Sequence, residues 1–242
     1  MPPLELREVA DAASLCRAAA DLIATTAAAA VAARGRFTLA LSGGNTPRAL
    51  YQLLAAEYAT RVPWSSSQLY FGDERCVPPD NADSNYRMAD DALLSRIPGL
   101  RDRTARIEGE REPPEAAKRY DAVLRKAFVD GTTFDIALLG MGEDGHTASL
   151  FPSSPALAEH TRWAVATEAP PTMKTRQRVT LTYPMFANAR AVVFLVAGKD
   201  KHRILTDVLA EAGNPAAQYP AARITAREQL IYLADRAALS PR

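Results

Sequence analysis

Cysteine and histidine are scarce in this sequence, which has two of the first and three of the second. Cys16 and Cys76 have no further cysteines beside them, and no cluster has metal-ligand spacing, so neither a disulfide framework nor a metal site is expected. Charge of one sign is lacking too. A net charge of +1 argues against a nucleic-acid partner, whose sites are strongly basic, and leaves room for one small anion. No basic head followed by an apolar stretch opens the chain, so no signal peptide is expected. The alanine-rich block at residues 24–33 is too short and too weakly hydrophobic to span a bilayer, and reads as helix because alanine has the best helix propensity. These absences predict a cytoplasmic protein with no membrane partner. Two motifs are missing as well: no Walker lysine follows a glycine loop, and there is no Gly-x-Ser-x-Gly elbow.

What is present is an alternation of short β-rich runs with helical stripes. FTLAL (37–41), QLYFG (68–72), FDIALLG (134–140), WAVAT (163–167), RVTLT (178–182), AVVFLVAG (191–198) and LIYLA (230–234) read as strands. Stripes through Leu15 and Ala19, Leu50 and Leu54, Tyr86 and Ala89, Tyr120 and Leu124, and Ile204 and Val208 read as helices. The strands are nearly continuous apolar runs, as in a parallel sheet covered on both faces. An α/β single domain over residues 1–242 is predicted, with hydrophobic content of 48% and charged content of 24% ordinary for a globular chain. Ligands of such sheets bind outside the carboxyl ends of the strands. Four exits therefore matter: LSGGNTP, FGDERCVPPD, LGMGEDGHT and VAGKDKH.

The first exit has the make-up of a phosphate cradle. Gly43 and Gly44 can turn their N–H groups toward a ligand, Thr46 reads as an N-cap, and Pro47 suits the first helical position. A helix N-terminus there would bind phosphate through free N–H groups and the positive end of its dipole. At the second exit Arg75 can hold a phosphate or a developing oxyanion, or else pair with Asp73 or Glu74 and tie down the loop. At the fourth, Lys199 can meet a phosphate as a point charge, at a helix start where the dipole disfavours it.

The third exit offers two chemistries. Gly140-x-Gly142-x-x-Gly145 matches a dinucleotide fingerprint, but Pro152 and Pro155 follow too soon for the long helix that motif requires, and Glu143 and Asp144 would face a pyrophosphate with negative charge. The alternative is His146 as a proton acceptor on a glycine turn, with Asp144 or Glu143 orienting its ring. His160 and His202 read as ordinary surface residues. No nucleophile or metal cluster pairs with His146, which points to water activation or proton shuttling.

Together LSGGNTP, FGDERCVPPDNADSNYRM, LLGMGEDGHTASLFP and VVFLVAGKDKHRIL resemble the 6-phosphogluconolactonase family, in the expected order and over most of the chain. The resemblance implies a Rossmann-like, mostly parallel sheet with helices on both faces, related to the sugar-phosphate isomerases. It implies hydrolysis of 6-phospho-D-glucono-1,5-lactone, a small sugar-phosphate partner, and no metal or nucleotide cofactor; a monomer is expected. Carried over by matching positions, His146 is the general base, Asp144 the acid before it and Arg75, with Lys199, a substrate-binding cation; Arg75 is further expected to act in catalysis by stabilising the oxyanion. The substrate and phosphate set is Gly43, Gly44, Asn45, Thr46, Asp73, Arg178 and Lys199. Many members carry serine where this chain has Asn45, which keeps hydrogen-bonding capacity. Related deaminases continue after Asp-Gly-His to an Asn-Glu-Pro ending, whereas this chain reads Thr147-Ala148-Ser149-Leu150-Phe151-Pro152. An amino-sugar-phosphate isomerase or deaminase is thus the nearest alternative, and a non-catalytic sugar-phosphate sensor the other.

Overall fold

The apolar runs become the strands of a layered α/β structure. The computed structural model describes residues 4–129 and 133–240. In chain order its elements are β1 (Leu4–Val9), α1 (Ala12–Arg34), β2 (Phe37–Leu41), α2 (Asn45–Glu57), β3 (Ser67–Phe71), β4 (Asp73–Arg75), α3 (Asn85–Ala92), α4 (Pro113–Ala127) and β5 (Ile136–Leu139). They continue with β6 (Ala164–Glu168), β7 (Gln177–Leu181), α5 (Tyr183–Asn188), β8 (Ala191–Val196), α6 (His202–Ala210), β9 (Gln229–Asp235) and α7 (Arg236–Leu239). Single 3-10 turns join several of these.

Six strands form one parallel sheet in the order β1-β9-β8-β5-β2-β3. Every residue of β2, β5 and β8 is buried, as expected of strands covered on both faces. The chain runs outward from β2 to β3 on one side, and from β5 through β8 to β9 on the other, so the order reverses between β2 and β5. These two strands pair only at Leu39–Ile136 and Ala40–Ala137 before they part, and their divergence opens a crevice at the carboxyl ends. At the amino ends the strands are tied. The buried Asp135 carboxylate accepts from the Thr38 amide at 2.8 Å and its hydroxyl at 3.0 Å, and Arg34 also donates to it, with Arg190 at 3.7 Å.

Helix α1 is longer than residues 24–33 suggest. It has 23 residues and is long and apolar enough, by length and composition, to cross a membrane. Asp11 caps its start through the Ser14 amide, and Gly35 ends it in the left-handed region at φ 74°. It buries Leu15, Ala19, Ile23, Ala27 and Ala30, and packs on β2, β9 and α2. Burying side chains such as Leu15 and Ile23 contributes roughly 1.5–3 kcal/mol each, which makes α1 a core helix here.

The main departure from the sequence reading is a second, antiparallel sheet, ordered β4-β7-β6. WAVAT and RVTLT belong to it rather than to the parallel sheet. The connection at residues 169–176 is too short for a helical crossover, so β7 returns beside β6 as a hairpin. The charged Asp73–Arg75 segment, read only as a loop, is the third strand. Strand β1 was not legible either, and it lies outside β9 at the sheet edge.

Candidate active site

Three exits of the parallel sheet and the small antiparallel sheet surround a cavity of about 510 Å³. Its walls take shape from local backbone geometry. After β2 the chain turns at Gly44, whose φ of 108° is closed to other side chains, and Gly44 caps α2 through its backbone alone. The helix therefore starts at Asn45, earlier than the sequence reading placed it, and Thr46 lies in its first turn rather than at the cap. Gly43, Gly44, Asn45 and Thr46 all line the cavity, with the first-turn amides lacking intrahelical partners.

Across from this loop stand two cations. Arg75 on β4 and Arg178 on β7 are direct partners in the antiparallel register, an arrangement unfavourable for like charges. Arg75 Nη1 donates to the Asp83 carbonyl, and its Nε is buried without a partner. Arg178 is buried, donates from Nε to the Thr175 carbonyl at 3.0 Å and leans on Met173 Sδ at 3.9 Å. Burial lowers the Arg178 pKa; Asp73 opposes this, and the Arg75 charge adds to it. Neither arginine has a carboxylate within ion-pair distance among the described residues. The acids beside Arg75 are engaged elsewhere. Asp73 also lines the cavity, but it accepts from Ser149 Oγ at 2.6 Å and Asn85 Nδ2 at 3.1 Å. Glu74 accepts from the amides of Arg75, Asn85 and Tyr86 and from Ser84 Oγ, fastening the start of α3 to β4. Burial raises the Glu74 pKa despite those four donors. Two cations so enclosed, with their nearest acids occupied, form a receptor for an anion.

His146 projects from a tight turn in which the Gly142 amide donates to the His146 carbonyl at 2.9 Å. A Cβ on Gly142 would lie 2.1 Å from His146 Nδ1, so glycine is required for the ring to fold back over it. Asp144 Oδ1 meets Nδ1 at 2.5 Å and also accepts the His146 amide at 3.1 Å. An ionised carboxylate only accepts, which assigns the neutral ring's proton to Nδ1 and leaves Nε2 for the cavity. Burial pushes the Asp144 carboxyl up, but the hydrogen bond and charge of the ring, with the His146 amide, outweigh it and hold the carboxyl below its usual range. The ring rests on Phe151, centroids 4.7 Å apart. Glu143 and Asp144 are both exposed and neither lines the cavity; the contact with Nδ1 makes Asp144 the orienting acid, acting from behind the ring. Beyond the histidine, Ala148 is held at φ 48°, backbone strain located at the cavity wall.

Lys199 does not line the cavity; Lys201 does. Gly198, at φ 101°, starts a 3-10 turn over Lys199–Lys201, and its amide donates to both oxygens of Asp235 at 3.1 Å. That turn leaves Lys199 exposed and swings Lys201 inward, with Nζ 3.6 Å from Asp200. The sequence reading chose Lys199, the first lysine of GKDKH, whereas the second lies at the cavity wall. Ser42, Asn85, Ser149 and Met173 also line the site and were missed: the first three sit inside the quoted motifs but carry no charge or glycine that singles them out, and Met173 lies in a loop between strands. Of the other histidines, His160 is exposed, while His202 is partly buried with Nδ1 3.1 Å from the Ala238 carbonyl, a structural contact rather than a surface one.

The model of the family described as glucosamine-6-phosphate isomerases/6-phosphogluconolactonase matches residues 10–232. A 6-phosphogluconolactonase of Synechocystis sp. is 40% identical over 86% of each chain. The structure of 6-phosphogluconolactonase from Trypanosoma cruzi superposes with a TM-score of 0.84 at 30% identity, covering 100% of this chain and 98% of that one. A monomeric glucosamine-6-phosphate deaminase shares the fold, with a TM-score of 0.82 at 20% identity over 98% of this chain and 100% of that one. The chain belongs to the glucosamine-6-phosphate isomerase/6-phosphogluconolactonase family.

Proposed function

We propose that this chain hydrolyses 6-phospho-D-glucono-1,5-lactone to 6-phospho-D-gluconate, the second step of the oxidative pentose phosphate pathway. One observation carries the chemistry: His146, its Nδ1 taken by Asp144, shares a cavity with two arginines that form no ion pair among the described residues. The amides at Gly43–Thr46, with Arg178 and Lys201, take the 6-phosphate and so orient the lactone ring. His146 Nε2 removes a proton from water as the water oxygen bonds to C1. Arg75 faces the carbonyl oxygen and stabilises the oxyanion. The C1–ring oxygen bond then breaks, and the imidazolium returns its proton to the ring oxygen. Asp144 holds the tautomer throughout. Asp73 acts indirectly, by fixing Ser149 and Asn85 at the wall. A δ-lactone is a reactive ester, so a base and an anion receptor suffice without a covalent nucleophile. The reading carries with it a monomeric, cytoplasmic enzyme that needs no metal or nucleotide for this step.

The deaminase reading is disfavoured by Phe151. When the two continuations are aligned on their final proline, Phe151 stands where the Asn-Glu-Pro ending has its glutamate, and it packs on the His146 ring. The test is hydrolysis of lactone generated in situ from glucose 6-phosphate, corrected for spontaneous decay, with ammonia release from glucosamine 6-phosphate measured alongside. Lactone turnover lost in His146→Ala is expected. Ammonia release without lactone turnover would reverse the assignment.

A further inference from the structure

Two tyrosines make the same unusual bond pattern in this fold. Tyr51, fully buried on α2, accepts the Ser42 amide at 2.8 Å and donates to the Ser42 carbonyl at 2.9 Å. Tyr120 on α4 accepts the Phe71 amide at 2.8 Å and donates to the Phe71 carbonyl at 2.9 Å. Each phenol replaces a missing strand at the end of a ladder. For Phe71 the missing strand is beyond the sheet edge, since β3 is the last strand. For Ser42 it is β5, which has already parted from β2 after Ala40. Without Tyr51 the Ser42 backbone groups would be buried and unpaired, and pairing with the neighbouring strand would be their remedy. That pairing would close the crevice. On the opposite wall Thr147 Oγ1 takes the Gly140 carbonyl at 2.8 Å, so the β5 exit is likewise supplied by a side chain.

We infer that Tyr51 is a positioning residue for the anion loop: by fixing both backbone groups of Ser42, it holds the crevice open and aims the amides of Gly43–Thr46. Tyr51 itself touches no ligand. This inference rests on the anion-binding part of the proposed function, and Tyr120 supplies its control. Tyr120 makes the same bonds, but the chain beyond Phe71 is held independently by the pairing of Asp73 with Thr180.

The experiment compares Tyr51→Phe with Tyr120→Phe in the full chain. It measures the thermal midpoint, KM and kcat for the lactone, and inorganic phosphate affinity by calorimetry. Both variants should lower the midpoint. Only Tyr51→Phe should raise KM and the phosphate Kd, by about tenfold, with kcat within about twofold of wild type. Unchanged phosphate affinity in Tyr51→Phe, or an equal loss in Tyr120→Phe, overturns the inference. Should Tyr51→Phe fail to fold, 4-aminophenylalanine at position 51 retains a donor but accepts poorly; it should weaken phosphate binding, and wild-type affinity there counts against the proposal. Phosphate affinity is read separately from turnover, so a chain whose phosphate affinity depends on Tyr51 but which leaves the lactone intact would refute the lactonase reading alone.

Discussion

The two ends of the parallel sheet handle buried charge in opposite ways. At the amino ends, Asp135 is buried but saturated: Thr38 gives it an amide and a hydroxyl, Arg34 donates to it and Arg190 stands nearby. At the carboxyl ends Arg75 and Arg178 face each other with no ion-paired carboxylate among the described residues, and among them Arg75 Nε has no partner. The backbone differs in the same sense. Asp135 closes β2 onto β5 at one end, while Tyr51 and Thr147 keep the same strands apart at the other. One end is satisfied by the protein alone and serves stability. On the proposed function the other is satisfied only when an anion arrives, so that part of the folding free energy is given up for binding.

The largest effects should separate the ends cleanly. His146→Ala should lower kcat by about 10²–10⁴-fold, the usual contribution of a general base, with the urea midpoint unchanged. Asp135→Ala should do the reverse, removing about 3 kcal/mol of stability by leaving buried donors unpaired, with kcat of the folded fraction intact. Urea titration and steady-state kinetics on both variants check this; a His146 variant that unfolds early, or an Asp135 variant with a reduced kcat, would break the contrast.

Arg178→Met tests the cost of the vacant receptor. Methionine matches much of the volume and removes a buried cation whose pKa burial already lowers, so the thermal midpoint should hold or rise while KM for the lactone increases at least tenfold, about 1.4 kcal/mol of binding. A falling midpoint would mean that Arg178 is structurally paired after all. The lysines sharpen the same point. Lys201→Ala should raise KM several-fold, by about 1 kcal/mol, and Lys199→Ala, on an exposed side chain, should leave it within error. Equal effects would place both lysines at the ligand.

Much of this was legible because strands buried on both faces declare themselves. FTLAL became Phe37–Leu41 without adjustment, and the exits carry the glycine loop, Arg75 and the histidine that meet at the cavity. What was not legible depends on contacts distant in sequence. Nothing in Leu4–Val9 distinguishes an edge strand from a polar leader, because its pairing lies with β9. Asp73–Arg75 is charged enough to read as loop until β7 pairs with it, and that pairing alone sets Arg75 opposite Arg178. Lys201 was missed for a local reason: the 3-10 turn after Gly198 decides which lysine faces inward, and composition does not encode that turn.

The smallest expected effect concerns Asp144, the acid beside His146, which is held below its usual range. A carboxyl whose folded pKa is depressed adds stability that is fully present above its unfolded value of about 3.9 and disappears as pH falls through the folded value. Its side chain is 41% exposed, so solvent screening keeps this contribution well under about 1 kcal/mol. Wild type should therefore be only slightly more stable than Asp144→Asn at neutral pH, and the gap should vanish in the acid range as the carboxyl takes up its proton. Urea midpoints of the two proteins from pH 7 down to the acid limb measure it. A gap that persists at the lowest pH would show that Asp144 stabilises by packing rather than by charge. A gap of several kcal/mol at neutrality would show that the dyad is built for the fold, like Asp135, and would erase the distinction between the two ends. A small gap that closes with acid keeps the carboxylate's main task at Nδ1, holding the ring for the proton it handles.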